Sequence, residues 1–333
     1  MKKRTTLADV AKAADVSLMT VSRAVNNKPG LSVELRQKIL KLAAEMDYRP
    51  SKIARGLATR QMATVGLAIP SISNPFYAHI AQGVEDKAFE NGYNIFLINT
   101  HADLKREEAA LDSLWAQHID GAILCSLRLP QQKVIDNIER FPAVVLFNRE
   151  LESPLPNVVT ISVNDQRAAQ EAVQRFLDQR RKRIAYIGAP ENSFSGQRRL
   201  EGYLVALKNA NIAFDESLVM HIVPDIDTGR EAAEMLFSSH PDIDAILAFN
   251  DLVAIGVQQA CQATGKKVPE DVAIIGADDI QLASLVFPRL STSRVNPTQI
   301  GRLCMRTLLD LFAGDVSPAS YKIEPELILR ESG

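Results

Sequence analysis

Apolar and polar positions in the first fifty residues repeat with the period of short helices. Thr6 can cap a first helix, with Asp9 three residues later as its reciprocal partner. The apolar face of this helix holds Leu7, Val10, Ala11 and Ala14. Ser17 can cap a second helix over residues 18–25. The pattern therefore predicts two short helices joined by a tight turn, which is the helix-turn-helix arrangement.

The second helix has a polar face that suits DNA, because a helix fills the width of the major groove. Its buried side is expected to consist of Val21 and Val25. The opposite side holds Leu18, Met19, Ser22 and Arg23, with Asn26 just beyond the helix. The alternative for the two apolar members of this side is packing in the core. A third helix is predicted to begin after Ser32 and to stop at Pro50.

From Thr64 onward, short apolar runs alternate with amphipathic segments. Short apolar strands separated by helices indicate parallel sheets that are covered on both faces. The strand candidates are residues 65–70, 94–99, 121–126, 143–148, 158–163, 183–188, 245–250 and 272–278. Helices are predicted between most of them, for example over residues 75–91, 104–117, 165–179 and 251–263. So many strands exceed one sheet, and the pattern predicts an α/β core of two doubly wound lobes.

Polar residues follow several of these strands. Ligands of doubly wound sheets bind beyond the carboxyl ends of the strands, and planar polar side chains suit a ligand rich in hydroxyl groups. The candidates at these ends are Asn74, Asn148, Arg149, Asn250 and Asp278. Phe76 or Tyr77 is expected to supply an apolar wall. The alternative is that polar residues after strands cap the next helix, which is expected for Asp165 and Asp251.

The charge is divided between the two parts of the chain. Residues 1–60 hold 13 Lys and Arg against five Asp and Glu, a net charge of +8. The whole chain carries −2, so residues 61–333 carry −10. A basic segment before an acidic body predicts a nucleic-acid contact confined to the N-terminal segment.

Several functional classes lack their sequence signals. No stretch approaches the roughly eighteen apolar residues of a membrane span, and no apolar run follows the N-terminal charges as in a signal peptide. The three cysteines are far apart, which is typical of the reducing cytoplasm. The chain has no phosphate loop, no nucleophile elbow and no histidines at metal-ligand spacing. No enzyme activity, cofactor or metal site is therefore predicted.

Three strings make residues 6–60 similar to one family: T-L-A-D-V-A, V-S-L-M-T-V-S-R and Y-R-P-S-K-I-A-R-G-L. The segment resembles the DNA-binding headpiece of the lactose-repressor/galactose-repressor (LacI/GalR) family of bacterial transcription regulators. The rest of the chain resembles the effector-binding core of that family. The resemblance implies a helix-turn-helix domain over residues 1–50, a hinge helix over 51–61 and a periplasmic-binding-protein-like core over 62–333.

The resemblance also implies roles for individual side chains on DNA. Leu18, Met19 and Arg23 fall where the family contacts base edges in the major groove. Leu57 matches the leucine that the hinge helix of the family inserts between base steps. The other predicted DNA-binding residues, several of them on phosphates, are Thr6, Ser17, Thr20, Ser22, Asn26 and Tyr48.

In the core, the resemblance implies an effector between two lobes that are joined by three crossovers. One lobe is expected to hold about residues 62–161 and 293–320, and the other about residues 162–292 and 321–333. The positions that match effector contacts of the family are Asn74, Phe76, Asn148, Arg149, Arg199, Asn250 and Asp278.

Two departures from the family pattern narrow the choice of effector. Ala277 replaces the aromatic residue that usually precedes the Asp pair, and residues 222–227 contain no aromatic residue. Both changes reduce the surface on which a ring can stack, so a purine is disfavoured and a sugar or sugar acid is expected. Arg149 and Arg199 suit either the hydroxyl groups of a neutral sugar or the carboxylate of a sugar acid.

The leading hypothesis is a cytoplasmic repressor of carbohydrate genes that binds double-stranded DNA as a homodimer. The operator is expected to be pseudo-palindromic, because two-fold symmetry doubles a short recognition site. One alternative is a sugar-binding protein of transport type, which should carry a secretion signal and no headpiece. The other is an enzyme of sugar metabolism, for which Asp278 with Asp279 is the strongest candidate pair.

Overall fold

A computed structural model of the 333-residue chain describes residues 5–48, 62–315 and 320–333. The chain divides into two compact units, with the division after Ala63. The predicted hinge helix, including Leu57, lies outside the described residues.

The described part of the first unit contains helices α1 (Leu7–Ala14), α2 (Leu18–Val25) and α3 (Val33–Glu45). The predicted caps are confirmed. The Thr6 hydroxyl accepts from the Asp9 amide at 3.3 Å, and the Asp9 carboxylate accepts from the Thr6 amide at 2.8 Å. Ser17 and Ser32 cap the other two helices. The helices meet in one apolar cluster of Val10, Ala11, Ala14, Val21, Ala24, Ile39 and Ala43.

The second unit contains two six-stranded sheets. The strands of the first sheet are β1 (Thr64–Ile69), β2 (Asn94–Asn99), β3 (Gly121–Cys125), β4 (Val144–Phe147), β5 (Val158–Val163) and β11 (Ser320–Ile323). The strands of the second are β6 (Ile184–Gly188), β7 (Val219–His221), β8 (Ala245–Ala248), β9 (Ala273–Asp278), β10 (Ser291–Arg294) and β12 (Glu326–Ile328). The strand orders are β11-β5-β4-β3-β1-β2 and β12-β10-β9-β8-β6-β7. All paired strands are parallel except β10 and β12.

Helices cover both faces of each sheet, as the apolar strands predicted. The first sheet packs against α4 (Pro75–Glu90), α5 (Leu104–Ala116), α6 (Gln131–Ile138) and α11 (Pro297–Ala313). The second packs against α7 (Asp165–Asp178), α8 (Phe194–Asn209), α9 (Ile226–Ser239) and α10 (Asp251–Ala263). The two lobes of a doubly wound core are therefore confirmed. No helix among the described residues has the length and apolar character needed to cross a membrane.

Strand β10 was not predicted, because its sequence S-T-S-R has no apolar pattern. The strand is nevertheless buried, and hydrogen bonds replace apolar contacts. The hydroxyl of Thr292 donates to Asp251 at 2.6 Å, and the amide of Ser291 donates to the hydroxyl of Ser332 at 2.8 Å. A buried polar strand of this kind is stable only because its polar groups have partners.

The chain crosses between the sheets after β5, after β10 and after β11. The boundaries predicted after residues 161, 292 and 320 each fall inside one of these strands. The observed crossings follow Val163, Arg294 and Ile323. The approximate boundaries therefore lie within three residues of these crossings.

Pairs of neighbouring helices approach so closely that only glycine fits at the contact. A Cβ atom on Gly301 of α11 would lie 2.1 Å from the carbonyl oxygen of Ile80 in α4. A Cβ atom on Gly83 of α4 would lie 2.0 Å from the carbonyl oxygen of Thr298 in α11. Gly202 brings α8 against α7, and Gly256 brings α10 against α9, in the same way. These contacts join helix backbones directly.

Replacing Gly301 by Ala is expected to destabilise the second unit by about 1–3 kcal/mol, because the added methyl group meets backbone that cannot move alone. Alanine is the better helix former by roughly 1 kcal/mol, so any loss of stability must come from packing. Urea unfolding of Gly301→Ala measures the effect. The control is Arg306→Ala on an exposed position of the same helix, which should change stability by less than about 0.5 kcal/mol. Equal stability of both variants and the parent would contradict this account.

Candidate functional site

Helix α2 presents an exposed face in the first unit. The side chains of Leu18 and Met19 are 53% and 66% exposed, whereas Val21 and Ala24 are buried against the other helices. The alternative that Leu18 and Met19 pack in the core is therefore wrong. Arg23 is exposed as well, so the face combines two apolar side chains with one guanidinium group.

Several other predicted DNA-binding residues have structural roles within the first unit. Ser17 caps α2 by accepting from the Thr20 amide at 3.1 Å, and Thr6 caps α1. The Asn26 amide nitrogen donates to the carbonyl oxygen of Ser22 at 2.9 Å. Tyr48 is half-buried against the apolar cluster, and this burial raises the pKa of its phenol. Their contacts with DNA remain predictions.

A cavity of about 240 Å³ lies between the two lobes of the second unit. The first lobe lines it with Pro70, Ser71, Ser73, Asn74, Tyr77, His101, Ala102, Ser126 and Arg128. The second lobe lines it with Ser193, Ser195, Val223, Pro224, Asp225, Phe249, Asn250 and Leu252. The wall is therefore rich in hydroxyl and amide groups, with Tyr77 and Phe249 as its aromatic members.

In each lobe, the lining residues follow the first three strands of the sheet. They follow β1, β2 and β3 in the first sheet, and β6, β7 and β8 in the second. In the first sheet, β2 and β3 lie on opposite sides of β1. In the second sheet, β7 and β8 lie on opposite sides of β6, so the strand order reverses at these two places. Successive connections then lie on opposite faces, which opens a crevice at the carboxyl ends of the strands.

Asn74 and Asn250 line this cavity as predicted, and each also caps the helix that follows it. The Asn74 side-chain oxygen accepts from the Phe76 amide at 3.0 Å, and that of Asn250 accepts from the Val253 amide at 3.0 Å. The two interpretations of polar residues after strands therefore do not exclude each other. Each cap uses the side-chain oxygen and leaves the amide nitrogen as a donor for a ligand.

The caps predicted for Asp165 and Asp251 are wrong. Asn164 and Asn250 stand at the two cap positions, each one residue earlier. The Asp251 carboxylate is buried, and it accepts from the Thr292 hydroxyl and from the Ile280 amide at 2.9 Å. It therefore connects α10 to the loop after β9 and to β10.

Three of the predicted effector residues support the first lobe from behind the cavity. Phe76 packs in the apolar core, with its ring centroid 6.3 Å from that of Phe147. The Asn148 side-chain oxygen accepts from the Val163 amide at 2.9 Å. The Arg149 guanidinium donates to the carbonyl oxygen of Leu129 at 3.0 Å. None of the three lines the cavity, and their roles in effector binding remain predictions.

Arg199 and Asp278 form a buried charge network in the second lobe. The Arg199 guanidinium lies 2.8 Å from the Asp165 carboxylate and 3.6 Å from that of Asp278. Burial raises the pKa of Asp278 to about 7, although the attraction of Arg199 opposes the rise. The guanidinium also lies 4.7 Å from the centroid of the Phe249 ring and donates to the carbonyl oxygen of the same residue. The network therefore supports Phe249, which in turn lines the cavity.

The loop after β3 carries a lining residue that the sequence did not reveal, Arg128. Glu107 of α5 is buried beneath this loop, where its carboxylate accepts from the amide of Arg128 at 2.9 Å and from that of Leu129 at 3.0 Å. Burial raises the pKa of Glu107, and these two hydrogen bonds oppose the rise. The carbonyl oxygen of Leu129 accepts from Arg149, so the loop is held from two sides.

His101, Ser193, Ser195 and Asp225 were also missed as lining residues. Each lies in the segment that follows a strand at or beside the reversal of strand order. This shared position could have identified them as lining residues, but the order of the strands within a sheet is not evident from the sequence alone. Among the described residues, no group of three or more His, Cys, Asp or Glu side chains is arranged to hold a metal ion.

The comparisons with known proteins agree with this architecture. Residues 62–330 match the model of periplasmic binding proteins and the sugar binding domain of the LacI family, and residues 6–51 match that of bacterial regulatory proteins of the lacI family. A ribose operon repressor from Halalkalibacterium halodurans is 33% identical, and the match covers 98% of this chain and 97% of that repressor.

Two solved structures have the same fold. The complex of the transcriptional regulator CelR with cellobiose superposes with a TM-score of 0.74 at 31% identity, over 99% of this chain and 100% of that one. The lac repressor dimer bound to operator and the anti-inducer ONPF superposes with a TM-score of 0.88 at 24% identity, over 99% of both chains. With two family models that together cover residues 6–51 and 62–330, the chain belongs to the LacI family of bacterial regulatory proteins.

Proposed function

We propose that this transcriptional regulator represses genes of carbohydrate metabolism and releases or gains DNA affinity when a sugar or sugar derivative binds between its lobes. One observation carries the proposal: the same chain has an exposed apolar and basic face on α2 and a cavity lined by hydroxyl and amide groups. The similarity to a ribose operon repressor and to a regulator solved with cellobiose supports the sugar class.

On DNA, the exposed face of α2 enters the major groove. Leu18 and Met19 contact thymine methyl groups, and Arg23 donates two hydrogen bonds to a guanine. A good contact of this kind contributes about 1–3 kcal/mol to discrimination between bases. The net charge of +8 over residues 1–60 adds affinity that does not depend on sequence, because it releases counterions from the phosphates.

The regulator acts as a homodimer on a pseudo-palindromic operator. One helix-turn-helix contacts too few base pairs to select a site in a genome, and two-fold symmetry doubles the site. The surface of the second unit supports dimerisation, because it leaves large apolar side chains uncovered. Phe287 is 93% exposed, and Leu285 and Phe89 are also mostly exposed.

The cleft binds its ligand without chemical conversion, and the protein works in the cytoplasm, where its operator is. The relatives are regulators rather than enzymes. The cysteines are free and buried, which suits a reducing compartment. A transport-type sugar-binding protein would have no use for the first unit, so the N-terminal helices favour the regulator over this alternative.

Replacing Leu18 or Met19 by Ala is expected to weaken operator binding by about 1 kcal/mol or more, because each loses an apolar contact with a base. Both side chains are largely exposed, so the stability of the first unit should change by less than about 0.5 kcal/mol. Fluorescence anisotropy measures binding to a duplex that the parent protein has enriched from a random pool.

The matched control for these variants is Leu40→Ala. Leu40 is an exposed leucine on α3 of the same unit, and its replacement should leave both stability and DNA affinity unchanged. The base-contact assignment is refuted if the Leu18 and Met19 variants bind the selected duplex as tightly as the Leu40 variant.

The sugar that binds the cleft should bind with a different affinity when the protein is on its operator, and the change should be roughly 5- to 150-fold. Thermodynamic linkage requires the sugar to change operator affinity by the same factor. Titration calorimetry with and without the selected duplex, using sugars found by thermal-shift screening, gives both factors. Equal sugar affinity in the two titrations would contradict control by this ligand.

A further inference from the structure

Arg128 brings to the cavity a positive charge that forms no ion pair with a carboxylate among the described residues. Its side chain is half-buried in the wall, and its one described side-chain hydrogen bond goes to the carbonyl oxygen of Ala102 at 3.5 Å. A guanidinium has five N–H donors, so most of the Arg128 donors have no partner among the described residues. Burial lowers the pKa of Arg128, which indicates that the cation lacks part of its hydration. An anion in the cavity would restore the lost interactions.

Glu107 attracts the Arg128 guanidinium but forms no hydrogen bond with it. The two oxygens of its carboxylate already accept three hydrogen bonds from the amides of Arg128 and Leu129. Its contribution is to hold the backbone of the loop after β3. Together with the hydrogen bond from Arg149 to Leu129, this contact fixes the position from which the Arg128 side chain extends.

The other titratable groups of the wall form no ion pair with Arg128. Asp225 lies in the opposite lobe, where its carboxylate caps α9 by accepting from the amide and the hydroxyl of Thr228 at 2.8 and 2.9 Å. His101 lies in the first lobe with Arg128, and its ring nitrogen Nε2 is 3.1 Å from the amide nitrogen of Asn99. The first-lobe side of the cavity therefore presents a guanidinium and an imidazole, with no acid in its lining.

The remainder of the wall suits a polyhydroxylated molecule. Five serine side chains line the cavity, and Asn74 and Asn250 keep their amide nitrogens as donors. The Tyr77 ring contributes an apolar surface, and its hydroxyl lies 3.0 Å from that of Ser126. Donors and acceptors for hydroxyl groups thus surround a cavity with a cationic end.

We propose that the effector is a sugar with an anionic group, either a carboxylate or a phosphate, and that Arg128 binds this group with His101 beside it. The inference rests on the proposed function, in which a sugar-type molecule occupies the cleft. It adds the charge of the effector and identifies Arg128 as the residue that selects for this charge.

Matched pairs of neutral and anionic sugars test the proposal on the full-length protein by titration calorimetry. Suitable sets are D-glucose with D-gluconate and D-glucose 6-phosphate, D-galactose with D-galacturonate, and D-ribose with D-ribose 5-phosphate. In at least one set, the anionic member should bind roughly tenfold or more tightly than the neutral one, as expected for a charge-assisted hydrogen bond. The carboxylates and phosphates in the panel distinguish the two sources of negative charge.

Substitutions at Arg128 test whether this side chain causes the preference for the anionic sugar. Arg128→Gln should lower affinity for the preferred anionic sugar by roughly tenfold or more and leave affinity for its neutral partner within about threefold. Arg128→Lys should retain part of the preference, because it keeps the charge but loses the planar fork. Arg306→Gln, an exposed arginine of the same lobe outside the cavity, should bind like the parent. Thermal melting of each variant confirms that it is folded.

The outcomes separate the two proposals. If only neutral sugars bind, or if Arg128→Gln weakens both members of a pair equally, the anionic effector is refuted and the sugar-controlled regulator stands. If no sugar of either kind binds the full-length protein, the sugar effector of the proposed function fails, and the inference about Arg128 fails with it.

Discussion

The parallel direction of the strands determines where this chain can hold a ligand. Parallel strands deliver all their carboxyl ends to one edge of a sheet, and a reversal of strand order opens a crevice at that edge. Both sheets of the second unit have the reversal at the corresponding place, beside β1 and beside β6. The chain therefore builds two half-sites, and the cavity between the lobes forms where their edges meet.

The sequence predicted the elements of this architecture better than the site itself. Alternating apolar strands and amphipathic helices were sufficient to identify two doubly wound lobes, whereas the polar strand β10 was missed because its burial depends on hydrogen bonds. Polar residues at strand ends were identified as candidates, but the sequence does not indicate which strand ends lie beside the cavity. Asn74 and Asn250 follow strands at the reversal and line the cavity. Asn148 follows β4 and Asp278 ends β9, and both strands lie one position further away.

Charged residues near the cleft divide into those that line it and those that hold its walls. Glu107 and Arg149 fix the loop after β3. The ion pair with Asp165 holds Arg199, whose guanidinium packs against the ring of Phe249. Buried charges of this kind are tolerated because each has a specific partner. Arg128 differs from them, because its guanidinium lies in the wall and forms no ion pair or hydrogen bond with a carboxylate among the described residues.

The glycine contacts between helices have a mechanical consequence for the lobes. Helices whose backbones touch at Gly83, Gly202, Gly256 and Gly301 cannot slide past each other without collision. Each lobe therefore resists internal rearrangement, and any change in the angle between the lobes would be concentrated in the three connecting segments after Val163, Arg294 and Ile323. The side chains of Asn164 and Arg167 both donate to Glu324, so the segments after Val163 and Ile323 are tied together and could not bend independently.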